Sequence, residues 1–97
     1  MKLIYIFVVY LINKIMPELL RLFGLRFLFF ANDHEPIHVH VVKGKGKIAA
    51  KAKFTLFPVE MVENQGLSAS EIKMAEAVIE ENKDLFAERW NEFFNNK

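Results

Sequence analysis

Cysteine is absent from this 97-residue chain, which excludes disulfide staples and thiolate-held zinc. A reducing cytosol is compatible with that composition, and cytoplasmic residence is the expectation. No apolar run approaches the roughly 20 residues that a helical bilayer span requires. Repeats, low-complexity tracts and linkers long enough to separate domains are also missing. No Ser or Thr nucleophile stands beside a suitable base, and there is no phosphate loop or dinucleotide fingerprint. Charge of one sign is lacking too, because the formal net charge is only +1.

What is present is apolar material, 53% of residues including ten Phe, enough for the core of one small domain. The small net charge hides a division. Residues 17–57 carry seven Lys/Arg against three acids, a net +4, whereas residues 58–97 carry four against nine, a net −5. This pattern suggests a basic face that meets anions and an acidic helical half, or simply two differently solvated surfaces.

Residues 1–15 read as a separate extension. Leu3 to Ile12 is an unbroken apolar run of ten, too short to span a bilayer and without the small-residue cleavage site of a signal peptide. An upstream start codon, with Met16 as the real initiator, is the leading expectation, ahead of an extra strand or short helix.

Residues 16–97 read as a single α+β domain. Leu19 to Phe23 and Leu25 to Ala31 flank Gly24 as a tight hairpin. Asn32 to Pro36 is turn-forming, and His38 to Lys43 resumes as a strand turned by Gly44-Lys45-Gly46. Ile48, Ala50, Ala52, Phe54 and Leu56 alternate with Lys47, Ala49, Lys51, Lys53 and Thr55, which puts one face on a core and a lysine-rich face in water. Pro58 is read as opening a short helix, Val59 to Asn64, stopped by Gly66. Ser68 and Glu71 form a capping box with a Leu67/Ile72 staple. From there Ile72, Ala75, Ile79, Phe86, Trp90 and Phe93 make one apolar helical stripe. Asn82-Lys83-Asp84 interrupts it as a kink or break. The predicted fold is a small antiparallel sheet of three to four strands packed on a long amphipathic C-terminal helix, with a short helix between.

All three histidines lie in His34-Glu35-Pro36-Ile37-His38-Val39-His40, directly after Asp33. His34-Glu35-x-x-His38 spells the zincin signature, but that signature needs a helix, and Pro36 breaks it. On a strand His38 and His40 share a face, and His34, Asp33 and Glu35 from the turn close over it. Two or three imidazoles with a carboxylate suit a divalent metal such as zinc, or non-haem iron or nickel. The metal candidates are His34, His38 and His40. The same residues with Asp33 and Glu35 are the candidates for acid–base catalysis on a phosphodiester. The structural alternative has the imidazoles merely bonding the turn. Arg21, Arg26, Lys43, Lys45, Lys47, Lys51 and Lys53 are the candidate contacts to nucleic-acid phosphates, set against lysines that only keep an exposed strand soluble.

The run Met16-Pro17-Glu18-Leu19, Gly24 to Phe30, and Asn32-Asp33-His34-Glu35-Pro36-Ile37-His38-Val39-His40-Val41 resembles the bacterial "domain of unknown function 4160" family. The likeness continues through Lys53-Phe54, Leu56, Pro58-Val59-Glu60 and Gly66-Leu67-Ser68 to Trp90 and Phe93-Phe94. Ile37 departs from the usual second proline, and the Gly46 to Lys53 segment is longer than is typical; no histidine is lost. The resemblance implies a toxin–antitoxin-type regulatory module, binding a small protein encoded by an adjacent gene ("domain of unknown function 2442") and RNA or DNA. A His-based or metal-dependent hydrolase or nuclease is the alternative. A structural interaction domain is the third reading, and homo-oligomerisation stays open.

Overall fold

In a computed structural model, which describes residues 18–30, 33–44 and 49–95, five strands precede one long helix. The strands are β1 (Glu18–Leu22), β2 (Leu25–Leu28), β3 (His38–Lys43), β4 (Ala50–Leu56) and β5 (Val59–Gln65). They form a single antiparallel sheet in sequential order, so every connection joins neighbours. The helix α1 spans Ala69–Asn95. The expected extension 1–15, Lys45 and Lys47 lie outside the described residues.

Residue chemistry accounts for most of these boundaries. Leu22 pairs with Leu25, and the intervening Phe23 and Gly24 have φ of 56° and 76°. Two left-handed residues are what a tight hairpin of matching twist requires, and glycine supplies one without a Cβ penalty. β2 ends at Leu28 because the next chain atoms turn to Asp33. The Phe30 amide donates to Asp33 Oδ2 at 2.8 Å, and the Asp33 amide donates back to the Phe30 carbonyl at 3.0 Å.

The short helix expected over Val59 to Asn64 is not formed; that segment is strand β5, and the sheet has five strands rather than three or four. Phe57 and Pro58 are the two-residue loop between Leu56 and Val59, which are paired across the hairpin. A six-residue helix bearing only Val59, Met61 and Val62 would have no apolar stripe to bury. As a strand it covers the edge of β4, whose Phe54 and Leu56 are fully buried, and places Glu63 opposite Lys53.

At the start of α1 the capping box is reciprocal. The Ser68 amide donates to Glu71 Oε1 at 2.9 Å and the Glu71 amide to Ser68 Oγ at 3.2 Å. Leu67 is buried and Ile72 packs on the core, completing the staple. The helix passes Asn82 without a break, and Asn82 Nδ2 donates to the Val78 carbonyl one turn back at 2.8 Å. Ala75, Val78, Ile79, Phe86 and Trp90 face Leu25, Phe27, Phe29, Val39, Val41, Ala52, Phe54 and Leu56 across the core. Phe29 meets Trp90 edge to face at 5.1 Å, and Phe94 packs on both rings. No helix of the described residues is long and apolar enough to cross a membrane.

Truncation of the fully buried ring in Phe54→Ala should cost about 3–5 kcal/mol, whereas Lys51→Ala on the exposed side of the same strand should stay within about 0.5 kcal/mol. Urea unfolding of the two variants measures the contrast.

Candidate metal centre

Alternation along β3 sorts its side chains. Val39 and Val41 enter the core, while the register sets His38 opposite Thr55 and His40 opposite Lys53, so these four share the other side of the sheet. The turn after β2 then brings Asp33 over the two imidazoles. Ligand atoms of Asp33, His38 and His40 all lie within 4.8 Å of one another. His40 Nε2 donates to both Asp33 oxygens, at 3.1 and 3.2 Å, and His38 Nε2 lies 3.2 Å from Asp33 Oδ1. Side-chain exposure of the three is only 9, 8 and 16% for Asp33, His38 and His40, so the group is enclosed as well as convergent.

His38 is fixed in one tautomer. Its Nδ1 is 2.8 Å from the Pro36 carbonyl, which only accepts, so Nδ1 carries the hydrogen. In the neutral ring Nε2 is then a lone pair aimed at a carboxylate oxygen. That pairing is repulsive until a proton or a cation stands between the two. A ring N–H donated to a backbone carbonyl, with the other nitrogen free to ligate, is the usual orientation of a metal-bound histidine. Bonds of about 2.0–2.2 Å in tetrahedral geometry place ligand atoms roughly 3.3–3.6 Å apart, a little more than the 3.1 and 3.2 Å observed between each imidazole and Asp33.

Electrostatics hold the donors in their ligating forms. Burial pushes the Asp33 carboxyl up, but the Phe30 amide, the His40 hydrogen bond and the neighbouring imidazoles outweigh it and bring it below the ordinary value. Burial lowers His40, helped by His38 and Lys53, against the raising effect of Asp33. A carboxylate and a neutral imidazole are the forms that bind a divalent cation, and His40 would ligate through Nε2 once the hydrogen it donates to Asp33 has passed to Nδ1.

The remaining sequence candidates divide. His34 is exposed and stands outside the converging group, so Asp33 takes the third position expected of His34. Glu35 is committed elsewhere: its Oε1 accepts the Trp90 indole N–H at 3.2 Å, which ties the turn to α1. The Trp90 ring in turn packs on His38 at 5.3 Å. Segment 34–38 contains no helix, in keeping with the rejection of the zincin signature. A cleft of about 350 Å³ opens beside the group, lined by Asp33, His34, Glu35, Pro36, His38, Lys53, Thr55 and Val62. A second recess of about 130 Å³ reaches His40, with Phe30, Lys51, Lys53 and Glu63 around it. Thr55 was visible in the alternation of β4; Val62 was hidden by reading β5 as a helix.

The basic residues do not gather into one surface. Arg21 pairs with Glu18 at 2.9 Å, Arg26 donates to the Gly44 carbonyl at 3.2 Å, and Lys43 pairs with Glu71 of α1. Of these three, Lys43 alone meets a carboxylate of the acidic half. Of the described cations proposed for nucleic acid, only Lys51 and Lys53 make no ion pair or hydrogen bond among the described residues.

The depressed values of His40 and Asp33 set a direction for pH dependence in metal-free protein. With both groups lowered by folding, the unfolded chain takes up protons first on acidification. Stability is complete above the unfolded value of His40, 6.5, and declines below it. The Asp33 contribution is present above 3.8 and lost as pH falls through its folded value. Urea midpoints measured against pH in excess chelator should fall in these two stages, and Asp33→Asn should remove the more acidic one.

The sequence model of one family, described as Domain of unknown function (DUF4160), matches residues 24–91, well over half of the chain, and includes the whole Asp33–His40 segment. Neither a curated protein nor a solved structure matches. The chain belongs to the DUF4160 family.

Proposed function

We propose that this domain is a divalent-metal-dependent hydrolase whose ion is held by Asp33, His38 and His40. The observation that carries the reading is the fixed His38 tautomer, with Nδ1 spent on the Pro36 carbonyl and Nε2 facing the buried Asp33 carboxylate at 3.2 Å. Three protein ligands leave positions for water and substrate, which is the composition of catalytic rather than structural sites. Zinc or ferrous iron suits a donor set of two imidazoles and one carboxylate. The ion would supply Lewis acidity and a water acidified to near neutral pH. The protein supplies the enclosed ligands, the Pro36 carbonyl that orients His38, and the open cleft beside them. His34, exposed on the cleft wall, is the group placed to move a proton to or from a bound substrate.

Elemental analysis of untagged protein should find about one zinc or iron per chain, and His38→Ala and Asp33→Asn should each lose it by 10-fold or more in affinity. Chelation should abolish hydrolysis of a model phosphate ester, and the same metal should restore it. Wild-type protein that stays metal-free after exposure to zinc and to anaerobic ferrous iron would refute the assignment.

A second reading is the toxin–antitoxin-type module that binds a protein partner. What supports it is the edge strand β5, where Met61 and Val62 are exposed next to Phe57 of the preceding loop. An unpaired strand edge with apolar side chains is a surface on which another chain can dock. Nucleic-acid binding finds less support, because Arg21 and Lys43 already face carboxylates. Co-expression with the neighbouring gene product should give a co-purifying complex that Met61→Lys or Val62→Glu disrupts; separate elution of wild-type chains would remove this reading.

A further inference from the structure

Lys53 occupies a position that the metal ligands do not explain. Its side chain is half-buried, and it lines both recesses beside the Asp33–His38–His40 group. Glu63 stands opposite it on β5, yet no ion pair joins them. Lys53 is paired with His40 across β3 and β4. A half-buried cation without a carboxylate, held beside a cluster able to bind a second cation, leaves positive charge unmatched on one wall of the cleft once a metal is bound. Such charge is balanced by an anion from outside.

The donors around the cleft narrow the class of anion. Thr55 Oγ1 donates its proton to the Pro58 carbonyl at 2.8 Å, so it offers none to a ligand. That leaves Lys53, the imidazole of His34 and the open positions of the ion. Three separate donor sites match the three terminal oxygens of a phosphoryl group better than the two of a carboxylate.

We propose that Lys53 is a substrate-binding residue that anchors one oxygen of a phosphoryl oxyanion seated between it and the ion. The inference rests on the metal reading above and assigns its substrate class as phosphomonoesters, which carry three terminal oxygens. In the complex the half-buried Lys53 becomes an ion pair in a partly enclosed site, where its loss is felt far more than at a surface.

Cobalt(II)-loaded protein separates the two ideas, because cobalt reports occupancy and its visible spectrum responds to anions in its open positions. Inorganic phosphate is titrated against wild type, Lys53→Met and Lys53→Arg, with acetate as a comparison anion. Lys53→Met should keep wild-type cobalt stoichiometry and thermal midpoint while its phosphate dissociation constant rises roughly 10- to 100-fold. Lys53→Arg should retain part of the affinity, and acetate should bind wild type more weakly than phosphate. Unchanged phosphate affinity in Lys53→Met overturns the role of Lys53 and leaves the metal centre standing. Acetate binding as tight as phosphate overturns the phosphoryl assignment. Loss of cobalt from Lys53→Met also overturns it, by placing Lys53 in the support of the ion. Wild type that binds no cobalt overturns the metal centre itself, and this inference with it.

Discussion

A carboxylate as enclosed as that of Asp33 has to be met by donors, or its desolvation would disfavour the folded state by several kcal/mol. Its oxygens accept from the Phe30 amide and from His40, and His38 stands beside them. One side chain thereby ends strand β2, closes the turn into β3 and gathers the two imidazoles. The conformation of the loop and the composition of the site are a single arrangement. Neither could be altered without the other.

Around that junction the helix and the sheet divide the labour. Phe29, Trp90 and Phe94 seal the end of the core nearest the site, and the Trp90 indole reaches the loop through Glu35. Asp33, His38 and His40 therefore project from a strand and a short turn braced by a buried aromatic cluster, not from a long free loop. Support of this kind holds the three side chains at a fixed spacing. On the outer side Lys43 of β3 meets Glu71 of α1, an ion pair that joins the basic and acidic halves of the sequence.

Much of this was legible in the residues. β3 was readable to the residue because Pro36 and the glycine after Lys43 bracket an alternating run, and the capping box fixed the helix start because Ser68 and Glu71 satisfy each other's amides. β5 was not, since its exposed residues carry no periodicity of their own and a proline before six polar-leaning residues serves a turn as well as a helix. Its identity comes from the edge of β4, a tertiary demand. The site was half legible. That His38 and His40 share a face follows from strand geometry alone, but the choice of Asp33 over His34 as third member depends on how the turn folds back, and Glu35 was taken by a tryptophan 55 positions away. Family membership covers the segment but attaches no chemistry to it.

The alternation of β3 carries one more consequence. Because odd positions feed the core and even positions the site, a slip of one residue against β2 or β4 would carry imidazoles into the hydrocarbon interior and valines onto the cleft wall. Register is thus defended twice, by hydrophobic burial and by the polar cluster on the opposite side. Insertions or deletions within His38–Lys43 should be tolerated only in pairs, since only those keep the parity of the strand.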